Sequence, residues 1–360
     1  MFSFRTTPLE DQLDKALLEG RVACFCTQNC WDTARGNYMY ELFRERGNLA
    51  TVFSPRDTEL TPLTNHIEFN PEELEGLNAV VVEIQDVGVR YFNYTRDVMH
   101  LMEVLSKMEE APSLYIVDHV NPAGRVVEGS MPQGACEAWV PKVPHRHGLS
   151  LGELCLLYHS ELGAKFALHV ISANASEATR DLLPWAIAPC SDIPGMFTCE
   201  LYSGGGLWNN TNVSPGIGTA RPYEYIGAPF IKTGSGTPLP PSDDNVLMRP
   251  CSFTPACGRY EGTKCFGYQI LLRPNPEYHS LVHTLRLMRH LKSTTTDFAL
   301  DQEFSLKLSD PVMEAYIMGE AGSQDLVQHV KTEEQKWIRK AKKYLLYDDQ
   351  PFRIKSDFSD

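Results

Sequence analysis

The stretch Ala79-Val80-Val81-Val82-Glu83-Ile84-Gln85-Asp86-Val87-Gly88 decides the fold. Its first six residues are rich in β-branched side chains and almost continuously apolar, the pattern of a strand buried on both faces rather than one alternating between core and water. The run then breaks into an amide, a carboxylate and a glycine. Such a strand needs parallel neighbours on either side and helices above and below it.

Outward from this strand, strands and helices alternate. The spacing predicts a helix over Glu10–Glu19 halted by Gly20, a strand over Arg21–Cys26, a helix over Tyr38–Arg46 and a strand over Leu49–Phe53. Asn70 as N-cap and Pro71 at the first helical position open a short helix to Leu77. Arg96–Met108 reads as a helix with Val98, Met99, Leu101, Met102 and Leu105 inward, Leu114–Val117 as a further buried strand, and Phe166–Ile171 as another. Ser150 and Glu153 frame a capping box that starts the helix between those last two strands. Alternation of this kind gives an α/β fold with a Rossmann-like, doubly wound, mostly parallel sheet. We assign residues 1–184 to that domain and residues 185–360 to a second, smaller α/β domain.

Ligands of doubly wound sheets bind beyond the carboxyl ends of the strands, where the strand order reverses. The predicted ends are polar: Thr27-Gln28-Asn29, Ser54-Pro55-Arg56-Asp57, Gln85-Asp86-Val87-Gly88 and Asp118-His119-Val120-Asn121-Pro122. Any one of these could be a turn cap; four together mark an edge that holds a ligand. In the second half, Pro184–Gly206 and Trp208–Pro229 read as long irregular segments rich in Gly, Pro and Asn. Trp208, Tyr223 and Tyr225 lie there among Asn209, Asn210, Asn212, Arg221 and Glu224. Aromatic faces beside amides and charged donors suit a sugar. The chain resumes with a strand over Gln269–Leu272 and a helix over Tyr278–Lys292, and ends on a helix from about Gln324 to Tyr347.

Composition narrows the function further. Over 360 residues the net charge is −13, from 33 basic and 46 acidic side chains, so no nucleic-acid partner is expected. The basic run Lys336–Lys343 has apolar residues at helical spacing and reads as a solvated helix face. No apolar stretch is long enough to span a bilayer. Met1–Leu13 has no apolar core of a secretory signal, so the chain as written is expected in the cytoplasm, or outside it if a leader precedes it. Cys24, Cys26 and Cys30 cluster, as do Cys251, Cys257 and Cys265, but neither set forms a C-x-x-C pair, and no metal is expected on spacing alone. The turn Cys26-Thr-Gln-Asn-Cys30 after the first strand lacks a glycine-rich phosphate loop, so no nucleotide cofactor is expected.

Four motifs, in order along the chain, resemble those of the NamZ-like exo-β-N-acetylmuramidase family. Ile84-Gln-Asp-Val-Gly-Val-Arg-Tyr-Phe-Asn-Tyr94 is similar to the family's I-Q-D-V-G-x-R-x-Y-x-Y. Asp118-His-Val-Asn-Pro122 with Val127-Glu-Gly129 is similar to D-R-P-N-P and V-E-G. Pro144-His-Arg-His-Gly-Leu-Ser-Leu-Gly-Glu153 is similar to P-x-R-H-G-x-x-x-G-E. Asn210-Thr-Asn-Val-Ser214, Gly218-Thr-Ala-Arg-Pro-Tyr-Glu224 and Gly227-Ala-Pro229 complete the set. The resemblance spans residues of about 20 to 350. It implies a Rossmann-like domain, a second α/β domain, a cleft between them, and removal of N-acetylmuramic acid from the non-reducing end of peptidoglycan fragments. The implied partner is thus an amino sugar or a peptidoglycan fragment.

The chain departs from the family in three motifs that carry charge. Family S-P-E-H-G reads Ser54-Pro55-Arg56-Asp57-Thr58, with Arg56 at the position of a candidate catalytic Glu; E-G-T-N reads Asn209-Asn210-Thr211-Asn212; S-E-G-R-G reads Ser214-Pro215-Gly216-Ile217-Gly218. Glycoside cleavage needs a proton for the leaving oxygen and a stabilised oxocarbenium-like transition state, work usually shared by two carboxylates. Asp86, Glu224 and Asp57 are the candidate catalytic carboxylates. Arg90 or Arg221 could grip the lactyl carboxylate of muramic acid in a guanidinium fork. Gln85, Tyr94, Asp118, Asn121, Arg146, His147 and Asn212 complete the candidate binding set. An alternative reading is a sugar-binding paralogue with impaired catalysis, because Arg56 replaces the family Glu.

Overall fold

The structure is a computed structural model describing residues 13, 17, 19–32, 36–53, 67–134, 136, 142–174, 187–234, 240–241, 245–273, 278–347 and 352–355. In the first half, β1 (Val22–Cys26), β2 (Leu49–Phe53), β3 (Ala79–Glu83), β4 (Ser113–His119) and β5 (Leu168–Asn174) form one sheet in the order β2-β1-β3-β4-β5. Every pairing is parallel, with Val22 opposite Ala79, Val80 opposite Leu114 and Leu114 opposite Leu168. The order reverses between β1 and β3, which makes their carboxyl ends the switch point of a doubly wound sheet.

The strand that decides the fold is buried along its whole length. Side chains alternate between two apolar layers, as the pleat demands. Ala23, Phe25, Val80 and Val82 face the layer that holds α2 (Asn93–Lys107) and α3 (Leu151–Leu162). Val22, Cys24 and Val81 face Met39, Leu42 and Phe43 of α1 (Met39–Arg46). Helices therefore cover both faces, as a continuous apolar strand requires. The predicted caps form: Asn70 accepts from the Glu72 amide, and Ser150 and Glu153 exchange capping-box bonds.

The second half carries α4 (Met196–Gly205), β6 (Tyr225–Ala228), β7 (Val246–Phe253), β8 (Cys265–Leu272), α5 (Ser280–Thr294), α6 (Phe304–Leu308), α7 (Pro311–Met318) and α8 (Ser323–Ala341). Its strands form an antiparallel sheet in the order β7-β8-β6. Three readings are corrected here. The glycine-rich part of Pro184–Gly206 is helical, and its glycines serve packing: α4 lies so close to α5 that a Cβ on Gly204 would collide with the Ser280 carbonyl. Strand β7 escaped notice because Pro250 interrupts its pattern; Pro is tolerated there on a sheet edge. The last long helix ends at Ala341 and runs into a 3-10 turn over Lys342–Tyr344. Within the basic run, Trp337 is fully buried while Lys336 is half exposed. Among the described residues no helix is long and apolar enough to cross a membrane.

One buried carboxylate joins the halves. Glu128, of the Val127-Glu-Gly129 motif, is 0% exposed. It contacts Arg146 Nη1 at 2.7 Å and Lys355 Nζ at 3.2 Å, accepts from Ser203 Oγ of α4 at 2.6 Å, and lies 3.6 Å from His279 Nδ1 at the N-cap of α5. His279 in turn meets Glu334 of α8 through Nε2 at 2.9 Å. Burial alone would push the Glu128 carboxyl up, but Lys355, His279 and Arg146 hold it far below the usual carboxylate range. The C-terminal segment also returns to the first half: Arg125 forks onto Glu153 and donates to the Tyr347 carbonyl, and the Trp337 indole donates to the His147 carbonyl.

Removing one member of a buried ionic cluster strands the others. Glu128→Gln is therefore expected to cost about 3–5 kcal/mol of stability, read from urea unfolding at neutral pH. A cost below about 1 kcal/mol would mean that the cluster does not hold the halves together.

Candidate functional site

At the carboxyl edge of the sheet, the candidates from the first half form a buried frame. Gln85, Asp86, Arg90, Tyr94, Asp118, Asn121, Arg146 and His147 are each 6% exposed or less. Asp86 accepts from the Gly88 amide at 3.0 Å and the Thr95 hydroxyl at 2.6 Å, and lies 3.3 Å from His147 Nε2. Gln85 donates to the carbonyls of Asp86 and Val120. Asn121 donates to the Leu149 carbonyl and accepts from the Ala123 amide. Gly88 adopts a φ of 77°, and a Cβ there would run into the Asn121 amide, which explains the glycine of the first motif. These bonds lock the loops after β3 and β4 to each other.

The remaining members of the frame tie elements together. Arg90 donates to the carbonyls of Ser130, Lys307 and Leu308, so its guanidinium joins the first half to α6 rather than facing a ligand. Arg146 is held by Glu128 and the Ala123 carbonyl. His147 Nδ1 accepts from the Leu149 amide. Tyr94 packs edge-on against Phe92, centroids 4.8 Å apart. Asp118 accepts from Ser150, the Gly152 amide and Tyr347; burial pushes its carboxyl up to about 6. Asp57 and Arg56 lie outside the described residues.

Above this frame the two halves meet through tyrosines. Tyr91, from the loop after β3, packs edge-on to Tyr202 of α4 at 6.2 Å, and Tyr202 lies 4.8 Å from Tyr223. Tyr223 is buried with a φ of 62°, a left-handed conformation that costs a tyrosine strain and is tolerated where surroundings impose it. Its hydroxyl accepts from the Asn209 amide at 3.3 Å. Next to Tyr223, Glu224 is mostly covered and pairs with Arg221 at 2.9 Å, whose side chain is 55% exposed. Asp86 and Asn121 thus support the loop that carries Tyr91 into contact with the Tyr202–Glu224 region. Trp208 is no sugar platform: it is 1% exposed and packs on Phe298. Asn212 staples its loop to the Asp297 carbonyl and the Ala299 amide.

Sequence reasoning passed over Asp192. Its turn is brought toward the end of β1 by the Gln28 amide, which donates to the Ala188 carbonyl at 3.0 Å. Burial pushes the Asp192 carboxyl up. Burial, too, raises the Tyr202 and Tyr223 phenols, and the nearby Asp192 charge adds to this. The only signal in the sequence was a polar pair between Pro189 and Pro194. A second grouping was invisible for another reason: Cys30, Glu83 and His119 come from the ends of three different strands, and their Sγ, carboxylate and imidazole atoms lie within 4.8 Å of one another. A separate hollow of about 450 Å³ in the second half is lined by Phe230, Lys232, Tyr268, His290 and Asp297, and none of the candidates lines it.

Two family models match the chain. Residues 64–190 match the N-terminal part of exo-beta-N-acetylmuramidase NamZ, and residues 200–347 match its C-terminal part. The chain is similar to the peptidoglycan beta-N-acetylmuramidase NamZ of Bacillus subtilis, with 27% identity over 293 residues, covering 77% of this chain and 69% of the relative. Two crystal structures of DUF1343 family proteins from Bacteroides fragilis share the fold. One has a TM-score of 0.79 at 20% identity, covering 94% of this chain and 97% of its own; the other has 0.73 at 21%, covering 93% and 96%.

The frame has a pH signature. A carboxyl raised from the usual 3.8 to about 6 binds its proton more tightly in the folded state, so its contribution to stability is present below about pH 4 and is lost as pH rises toward 6. Against wild type, Asp118→Asn is expected to remove a downward slope of up to about 1.4 kcal/mol per pH unit in that window, read from unfolding at several pH values. Identical slopes would show that Asp118 ionises normally.

Proposed function

We propose, on the footing that this chain belongs to the exo-β-N-acetylmuramidase NamZ family, that it is an exo-acting glycoside hydrolase that removes terminal N-acetylmuramic acid from peptidoglycan fragments. The observation that carries this reading is the meeting of the polar sheet edge with the Tyr202–Glu224 region, across both parts of the family match. In hydrolysis the leaving oxygen gains a proton, the anomeric carbon gains the hydroxyl of water, and the glycosidic C–O bond breaks.

We assign the proton donor to Asp192, a half-buried carboxyl in the turn that the Gln28–Ala188 bond draws toward the end of β1; burial pushes this carboxyl up, as a general acid requires. Glu224 is the second carboxylate, oriented by Arg221. Arg221 is also the better partner for the lactyl carboxylate than Arg90: half of its side chain is open to solvent, whereas Arg90 is engaged by main-chain carbonyls and the His145 ring. Asp86 acts as a positioning residue that fixes the loop bearing Tyr91. Gln85, Asn121, Arg146 and His147 serve the same frame.

The second reading, a sugar binder without turnover, draws on Asn209, a neutral amide on the Tyr223 hydroxyl where the family motif has Glu, and on Arg56. One assay separates the two. Chromogenic N-acetylmuramide is expected to release its dye and the N-acetylglucosamine analogue is not. Asp192→Asn and Glu224→Gln should each lower kcat by about 10²- to 10⁴-fold with unchanged melting temperature. No release, with a raised melting temperature in free N-acetylmuramic acid, selects the binder. Neither release nor binding overturns both.

A further inference from the structure

We propose that Cys30, Glu83 and His119 form a binding site for a thiophilic divalent cation of the zinc class, with a fourth coordination position open to solvent. The site stands independently of the glycosidase reading. Each ligand comes from a different strand end: Cys30 from the 3-10 turn after β1, Glu83 as the last residue of β3, and His119 as the last of β4. Strands β1, β3 and β4 are consecutive in the sheet, so their carboxyl ends bring the three side chains to one point at the switch of strand order.

The donor set is a thiol, a carboxylate and an imidazole, the mixture that zinc takes, and three protein ligands leave a place for water or another oxygen. The geometry is close to what coordination needs. Bond lengths of about 2.0–2.3 Å in a tetrahedron separate ligand atoms by about 3.3–3.6 Å. His119 Nε2 already lies 3.1 Å from Glu83 Oε1, and all three ligand atoms fall within 4.8 Å of one another. Thr27 Oγ1 lies 3.4 Å from Cys30 Sγ, a hydroxyl placed to support the sulfur from outside the coordination sphere. The Glu83 side chain is 1% exposed and that of His119 is 17% exposed, so the open position lies on the His119 side.

When a dication binds, the Cys30 thiol gives its proton to solvent, the thiolate and carboxylate bind as anions, and the imidazole binds neutral. The two negative charges then neutralise the metal, a balance that a buried site tolerates.

Zinc titration of the full chain, stripped with chelator, tests the site. One equivalent is expected to bind wild type and Cys257→Ser, a control at an exposed thiol, with one proton released per ion, read from calorimetry in buffers of different ionisation heat. Cys30→Ser and His119→Gln should each weaken binding at least 10-fold. Cobalt in place of zinc should give a thiolate charge-transfer band that Cys30→Ser abolishes. Equal binding by wild type and His119→Gln, or no stoichiometric binding by wild type, overturns the proposal. If Cys30→Ser does not fold, His119→Gln, at a side chain that is 17% exposed, decides alone.

Discussion

The Glu128 carboxylate is the constraint on which the arrangement rests. A fully buried anion is tolerable only when its surroundings supply charge and hydrogen bonds. Here Arg146 supplies them from the first half, His279 and Ser203 from the second, and Lys355 from the C-terminal segment. Satisfying one side chain therefore fixes where α4, α5 and α8 stand relative to the parallel sheet. That placement brings Tyr202 against Tyr91 and sets Tyr223 and Glu224 over the carboxyl edge. The site follows from the clamp.

The clamp also explains why motifs that look catalytic are mostly buried. Asp86, Asn121, Arg146 and His147 are polar, closely spaced and at strand ends, which are the marks of a binding site. Yet each is engaged with main-chain or side-chain groups of the frame. Pre-organisation needs such a supporting layer as much as it needs the groups that meet a ligand. The accessible polar groups lie one layer further out, in Arg221, Asn209, Asp192 and His119.

Local pattern made the first half legible. The continuous apolar run of β3, the Asn70 cap and the Ser150–Glu153 box each carry their structure within a few residues, and the parallel pairing of the sheet followed the α/β expectation. The second half was harder because its decisive contacts are distant in sequence. Gly204 to Gly206 reads as a loop until α5 is seen pressed against it, and Trp208 reads as a sugar platform until Phe298 is seen covering it. Cys30, Glu83 and His119 lie about 50 and 35 residues apart, and no spacing rule connects them. The direction of a side chain, more than its identity, was what the sequence withheld.

Crystals grown with N-acetylmuramic acid test most directly whether the sheet edge and the Tyr202–Glu224 region form one sugar site. The sugar is expected between the ends of β1 and β3 and this region, with its lactyl carboxylate at Arg221 and its anomeric hydroxyl within reach of Asp192. Sugar held instead in the hollow lined by Phe230, Lys232, His290 and Asp297, with the sheet edge empty, would contradict the placement.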